Sequence, residues 1–112
     1  MVDPRAGEKK QSPDYSLDAI RRLASFGQIE YRGKKVPRDV ATLGMDLNEV
    51  CLCLQTLQEH QFAHSIRYDN FLRWHDVYKM RYQTRDDRSL DLYIKLRLDR
   101  ECVVIELCSF HE

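Results

Sequence analysis

One stretch near the carboxyl end constrains the fold more than any other part of the chain. From Leu90 to Leu98, five apolar side chains alternate with polar ones without a break. A period of two places every apolar side chain on the same face of a β-strand. We therefore predict a strand with one face against a core and the other face open.

A second strand is predicted over residues 74–82, where aromatic and apolar side chains again alternate with polar ones. If the two strands are antiparallel neighbours, their polar side chains share one open face. The side chains expected there include His75, Lys79, Arg81, Tyr93, Lys95 and Arg97. A face of this kind suits a polyanion such as RNA. An ordinary half-buried strand with a solvated outer face would carry similar residues, so both interpretations stay open.

The earlier part of the chain predicts helices. Helical spacing and capping residues indicate helices over residues 16–27, about 37–43 and 45–58, the last being a buried central helix. Further strands are predicted at 62–68 and 102–108, and a short extended piece at 28–31. We therefore predict an α+β fold in which N-terminal helices pack on one face of a small antiparallel sheet.

The length of 112 residues fits one domain with a single core. Residues 1–15 are polar and show no apolar period, so we expect a flexible arm there, followed by one domain over residues 16–112. Basic and acidic side chains number 18 each, so any basic site must be local. No apolar run has the length of a membrane span and no hydrophobic signal region is present, which predicts a cytoplasmic protein.

Metal chemistry has little support in the residue pattern. The four cysteines, at 51, 53, 102 and 108, lack the paired spacing of a structural zinc site. His60 and His64 are four residues apart, but no HExxH arrangement exists. We expect no metal and no cofactor, and cysteines that serve as small packing residues in a reducing compartment.

Histidine is the side chain that exchanges a proton most easily near neutral pH. His75 is the best placed, because alternation puts it on the open face. His64 has the parity of Phe62, so burial under the sheet and catalysis are both open interpretations. His111 has the parity of Leu107 and would start on the core face unless the strand pairing breaks shortly before it.

Several short motifs, taken in order and spacing, resemble the MqsR family of bacterial toxins over most of the chain from residue 16 onward. The motifs are Leu43-Gly44-Met45-Asp46-Leu47, Cys51, Phe62, Ser65, Trp74, Asp76-Val77-Tyr78, Arg81, Leu92-Tyr93-Ile94-Lys95 and Ser109-Phe110. The resemblance implies a RelE-like α+β fold and sequence-selective cleavage of messenger RNA without a ribosome. It also implies neutralisation by an antitoxin that has a zinc-binding domain and a DNA-binding helix-turn-helix domain.

The resemblance implies a set of catalytic positions as well. Where the family has lysine, glutamine, tyrosine and lysine, this chain has His64, His75, Tyr93 and His111, so only the tyrosine is retained. We expect these four residues to be catalytic. The residues expected to bind the substrate are Lys79, Arg81, Lys95 and Arg97.

The expected activity is that of an mRNA interferase: metal-independent endoribonuclease cleavage in which the 2′-hydroxyl attacks the adjacent phosphate and leaves a 2′,3′-cyclic phosphate. The expected partners are messenger RNA and the cognate antitoxin, with DNA reached only through the antitoxin and no membrane involved. The alternative is a catalytically weakened or inactive module that binds an antitoxin and modulates transcriptional repression. The sequence leaves open the cleavage motif, and which histidines would act as acid and base.

Overall fold

The computed structural model describes residues 7–68 and 73–112. Its helices are α1 (Leu17–Ser25), α2 (Lys35–Thr42) and α3 (Leu47–Gln55), with one 3₁₀ turn at Glu59–Gln61. Its strands are β1 (Glu8–Lys10), β2 (Ile29–Tyr31), β3 (Phe62–Arg67), β4 (His75–Gln83), β5 (Ser89–Leu98) and β6 (Ile105–His111). This is the predicted α+β class, with helices ahead of most strands, and it is consistent with a RelE-like fold.

The six strands form one sheet in the order β1-β3-β4-β5-β6-β2. Strands β3 to β6 are consecutive antiparallel neighbours, as the sequence predicts. The sheet as a whole is mixed, because β2 runs parallel to β6 with Ile29 opposite Ile105. Helices α2 and α3 and three strands separate β2 from β6 in the chain, so no hairpin dictates an antiparallel pairing.

The core lies between the helices and one face of the sheet. Ile20, Leu54 and Leu57 from the helical side and Ile94 and Phe110 from the sheet have no exposed surface. Burial of such apolar surface contributes about 25 cal/mol per Å². The sheet face opposite the helices is therefore free to carry polar side chains. Within the described residues, no helix is long and apolar enough to cross a bilayer.

The third helix differs from the prediction of a helix buried on all sides. Leu47 and Leu52 are 46% and 42% exposed, because α3 packs mainly against α1 and leaves one flank in solvent. Helix α3 begins as predicted, since the Asp46 side chain accepts a hydrogen bond from the Glu49 N–H at 2.8 Å. It ends at Gln55, before the predicted boundary.

The last strand begins three residues later than predicted. The Asp99 carboxylate accepts hydrogen bonds from the N–H groups of Val103 and Val104, at 2.8 and 3.0 Å. Cys102 has a φ of 59°, in the left-handed region. These contacts hold residues 99–104 in a turn, so pairing with β5 begins at Ile105.

Part of the segment expected to be a flexible arm is paired with the rest of the molecule. Strand β1 is antiparallel to β3. The buried Asp76 carboxylate then accepts hydrogen bonds from the N–H groups of Asp14 and Tyr15, all at 3.0 Å. A long-range carboxylate contact of this kind is not visible in local sequence patterns. Residues 1–6, and the turn expected near residues 69–70, lie outside the described residues.

The Asp76 contact predicts a stability loss. Asp76→Ala leaves two backbone N–H groups without their acceptor and should lower the free energy of unfolding by about 2 to 3 kcal/mol. Asp91→Ala on the neighbouring strand is the control, since the Asp91 side chain is 71% exposed and its loss should cost less than about 0.5 kcal/mol. Urea unfolding measures both, and equal losses would contradict the anchoring role of Asp76.

Candidate functional site

Strand register arranges the side chains of the face opposite the helices in rows, three of which are described first. The tyrosine row contains Lys79, Tyr93 and His111, from β4, β5 and β6. The lysine row contains His64, Val77, Lys95 and Ser109. The glutamate row contains Ile66, His75, Arg97 and Glu106. We refer to this surface as the open face.

A register shift in β3 brings His64 to the open face. Phe62 pairs with Tyr78, and their rings meet edge to face on the core side with centroids 5.6 Å apart. The shift lies between Phe62 and His64, so that His64 is opposite Val77. A bulge adds one residue and reverses the alternation beyond it. Strict alternation would have placed His64 with Phe62 in the core.

A second register shift, between β5 and β6, brings His111 to the open face. Leu107 and Ser109 pair with adjacent residues of β5, which leaves Cys108 as the extra residue. Beyond the bulge, His111 lies opposite Tyr93. The two rings are stacked, with centroids 5.2 Å apart and planes inclined by 18°. The register shift that places His111 on the open face is therefore present in the structure.

The tyrosine row borders a shallow groove of about 370 Å³. Its lining residues are Lys79, Met80, Arg81, Asp91, Leu92, Tyr93 and Glu112. Nδ1 of His111 lies 2.9 Å from the main-chain oxygen of Glu112. Because that oxygen can only accept, Nδ1 carries the proton and Nε2 is the nitrogen left for a substrate.

The lysine row combines a neutral histidine with a cation. Burial, together with the nearby charges of Lys9 and Lys79, lowers the pKa of His64 below its usual value. Nζ of Lys95 donates a hydrogen bond to the Tyr68 hydroxyl at 3.0 Å and lies 5.2 Å from the centroid of that ring. Neither Lys79 nor Lys95 forms an ion pair with a carboxylate among residues 7–68 and 73–112.

The glutamate row is buried and closely connected. His75 is only 6% exposed, and its Nε2 lies 3.1 Å from an Nη of Arg97. Arg97 in turn donates through Nε to Glu106 at 2.7 Å, and Arg73 donates to the same carboxylate oxygen at 3.0 Å. Arg73 also donates to the carbonyl oxygen of Leu98.

These contacts keep the His75 ring neutral. A guanidinium group has only donors, so Nε2 of His75 is the acceptor and the proton resides on Nδ1. Nδ1 is buried and has no well-formed hydrogen bond with any described residue. Burial first, and then the charges of Arg97 and Lys95, lower the pKa of His75 to about 4. A contact with the Ile66 backbone acts to raise the pKa but does not offset them.

The structure separates the predicted site residues into two groups. On the accessible part of the open face, Lys79, Tyr93, Lys95 and His111 lie in adjoining rows, and His64 lies on the same face but two strands from Lys95. The other predicted residues are on the same face but already engaged. His75 and Arg97 belong to the buried network, and Arg81 forms an exposed ion pair with Asp91 at 3.0 Å. A proton-transfer role for His75 stays a prediction, and its burial and engaged Nε2 do not favour that role.

Sequence reasoning missed four residues of this face: Lys9, Tyr68, Arg73 and Glu106. Glu106 did carry a signal, because it alternates with Ile105 and Leu107 and so belongs opposite the core. Lys9 had none, since it lies in a strand of three residues without apolar alternation.

The cysteines are free: Cys51 and Cys53 are buried, and Cys102 is exposed. In the described parts of the chain, no three side chains from His, Cys, Asp and Glu converge as a metal site would require.

The neutral state of His75 predicts a pH-dependent stability. The native pKa of about 4 lies below the value of about 6.5 expected for an unfolded histidine, so protons bind preferentially to the unfolded chain. Stability should therefore fall as the pH drops from about 6.5 to about 4, by about 3 kcal/mol. His75→Gln cannot titrate and should lack this part of the loss. Urea unfolding at several pH values measures the difference. An equal loss of stability in both proteins would contradict the lowered pKa of His75.

Comparison with known proteins matches this architecture to a family. The family model described as "Motility quorum-sensing regulator, toxin of MqsA" matches residues 12–112. The match includes all three helices and strands β2 to β6. No curated protein sequence matches the chain. The chain therefore belongs to the motility quorum-sensing regulator family and is a toxin of a toxin–antitoxin system, with an antitoxin of the MqsA type as its partner.

Proposed function

We propose that this toxin is an endoribonuclease that binds and cleaves single-stranded messenger RNA on the open face. The observation that carries the proposal is the alignment of Lys79, Tyr93 and His111 in one row beside Lys95. Two lysines without carboxylate partners among the described residues can neutralise phosphate. The exposed parts of the Tyr93 and Tyr68 rings offer surfaces on which bases stack.

The cleavage step is an internal phosphoryl transfer. The ribose 2′-oxygen bonds to the adjacent phosphorus, the bond from phosphorus to the 5′-oxygen breaks, and a 2′,3′-cyclic phosphate and a 5′-hydroxyl result. One group takes the 2′ proton, another returns a proton to the leaving 5′-oxygen, and cations stabilise the additional negative charge. No water, oxidant or metal enters this balance.

We assign the base to His111 and the acid to Lys79, on either side of Tyr93. Nδ1 of His111 is directed to the main-chain oxygen of Glu112, so Nε2 is free to take the 2′ proton. Neighbouring strands are about 4.8 Å apart, so β3 and β6 are separated by about 14 Å. His64 is therefore too distant to share one phosphate with His111, and we assign it to a neighbouring part of the RNA. Lys95 then holds the reacting phosphate.

The same proposal covers the remaining features that the resemblance implies. Cleavage would be selective for sequence through the bases stacked on the open face, and independent of the ribosome, because one chain supplies base, acid and cations. The protein would act in the cytoplasm, where its substrate is. Its antitoxin would carry a zinc-binding domain and a helix-turn-helix domain, and DNA would be reached only through that antitoxin.

One observation favours the alternative of a weakened or inactive toxin that binds its antitoxin and modulates repression. At the position where the family has a catalytic glutamine, this chain has a buried histidine whose Nε2 is occupied by Arg97. A site that depended on this position would be impaired. The cleavage assay below separates the two functions, because the alternative predicts antitoxin binding without RNA cleavage.

Cleavage of synthetic single-stranded RNA by the purified toxin should continue in excess EDTA and fall steeply with added salt, because phosphate contacts release counterions. Lys79→Gln should also reduce the salt slope of RNA binding by about 0.7. Lys35→Gln is the matched control, since Lys35 is 71% exposed on α2, in the helical layer. Loss of cleavage with EDTA and recovery with a divalent ion would overturn the mechanism.

The His111 assignment predicts a graded set of rates. His111→Ala should lower the rate constant of cleavage about a hundredfold or more, the usual contribution of an acid or base. Tyr93→Phe should have a smaller effect, because the stacked ring remains. His75→Gln should lower the rate much less than His111→Ala, because His75 positions other side chains and transfers no proton.

His60→Ala is the control, because His60 is an exposed histidine in the 3₁₀ turn. Single-turnover rates measured on one oligonucleotide between pH 5 and 8, the range in which histidines titrate, test this order. A His75→Gln protein that is as impaired as His111→Ala would transfer the role to His75.

A further inference from the structure

We propose that Glu106 is a positioning residue for RNA binding, which holds Lys95 in place through Arg97, His75 and Tyr68; this inference rests on the proposed function. None of the sequence motifs that indicate the family includes Glu106. Its role emerges from a chain of side-chain contacts that crosses the open face from β6 to β3.

The chain begins with a carboxylate surrounded by arginines. Glu106 is 7% exposed, and its Oε1 accepts from Nε of Arg97 at 2.7 Å and from Arg73 at 3.0 Å. Arg32 lies 3.7 Å from its Oε2. Burial would raise the pKa of Glu106, but the hydrogen bonds from Arg97 and Arg73 outweigh that effect and lower it. Glu106 is therefore a fixed anion that determines where these guanidinium groups lie.

The second step passes through the plane of Arg97. A guanidinium group is rigid and planar, so a contact at Nε also sets the direction of the Nη atoms. With Nε on Glu106, an Nη of Arg97 reaches Nε2 of His75 at 3.1 Å. Lysine at this position has a single ammonium and could not bridge the two partners in the same geometry.

The third step is the His75 ring, which Arg97 holds at Nε2. The ring meets Tyr68 edge to face, with centroids 5.7 Å apart and planes inclined by 68°. Aromatic pairs prefer this geometry. A rotation of His75 would therefore displace Tyr68, which sits at the end of β3 next to the segment outside the described residues.

The last step joins Tyr68 to Lys95. The hydroxyl accepts from Nζ of Lys95 at 3.0 Å, and the ammonium lies 5.2 Å from the ring centroid. This contact orients the lysine without neutralising it. A direct ion pair between Lys95 and a carboxylate would remove the charge that phosphate needs. Glu106 is bound instead to arginines, so the charge of Lys95 is available to RNA.

The proposal predicts a change in RNA affinity opposite to the change expected from overall charge alone. Removing a negative charge near an RNA site should strengthen binding if only the overall field matters. If Glu106 positions Lys95, Glu106→Gln should weaken binding of the toxin to a 2′-O-methyl RNA oligonucleotide, which cannot be cleaved, by about tenfold. Lys95→Gln should weaken it by a similar factor. Fluorescence anisotropy at fixed ionic strength measures these dissociation constants.

A double-mutant cycle tests whether Glu106 acts on RNA binding through Lys95. Because Glu106 acts through Lys95, the protein that carries both substitutions should bind no worse than either single variant. Independent losses that multiply to about a hundredfold would overturn the proposal. Glu30→Gln is the matched control, since Glu30 is exposed and lies opposite Glu106 on β2. It should bind as well as the parent or slightly better, and a tenfold loss there would also count against a specific role of Glu106.

Two further measurements keep the proposal testable if Glu106→Gln does not fold or the toxin does not bind RNA. Arg97→Lys breaks the same chain while the anion is kept, and it should give the same loss of binding. Nitrogen-15 NMR of the imidazoles should show neutral His75 with its proton on Nδ1 in the parent. In Glu106→Gln or Arg97→Lys, the Tyr68 ring resonances should shift.

The outcomes separate the two claims. A parent in which His75 carries its proton on Nε2, or variants with unchanged Tyr68 resonances, would refute the positioning chain even if RNA is cleaved. A parent that neither binds nor cleaves RNA, but shows the expected tautomer and Tyr68 shifts, would refute the proposed function and leave Glu106 as the residue that positions Lys95 for some other anion.

Discussion

The pairing of β4 with β5 is the constraint on which the rest of the structure depends. Eight consecutive residue pairs, from Asp76–Leu96 to Gln83–Ser89, join these strands without a register shift. A slip of one residue would exchange the two faces, exposing the apolar side chains that pack on the helices and burying the cations. Hydrophobic burial on one side therefore specifies the chemistry of the other side. The alignment of Lys79 with Tyr93 follows directly from this register.

The carboxylates of the open face determine which of its cations are paired and which are available to a substrate. The chain as a whole has no net charge, so selectivity for an anion has to come from local pairing. Asp91 engages Arg81, and Glu106 engages Arg97, whereas Lys79 and Lys95 have no carboxylate partner among the described residues. The two lysines are thus the cations available to a substrate. The tyrosine and lysine rows therefore combine aligned side chains with cations that are available to a substrate.

Sequence reasoning succeeded where a local pattern determines the structure. Alternation predicted β4 and β5, and the faces of Tyr93 and Lys95 follow from it. It could not place His64 and His111, because each depends on a bulge that forms when a strand pairs with its neighbour. The burial of His75 was also invisible, since it results from contacts with Arg97 on another strand. Glu106 was within reach of the same reasoning, because it alternates with apolar residues in β6.

The central claim is that RNA binds on the open face, along the tyrosine and lysine rows. NMR chemical-shift mapping with a 2′-O-methyl RNA oligonucleotide tests it most directly, because binding is observed without cleavage. The account predicts that the largest shifts fall on Lys79, Tyr93, Lys95 and His111, and that the helical layer changes little. Shifts concentrated on α1 and α3, or no shifts at RNA concentrations where the toxin cleaves its substrate, would contradict it.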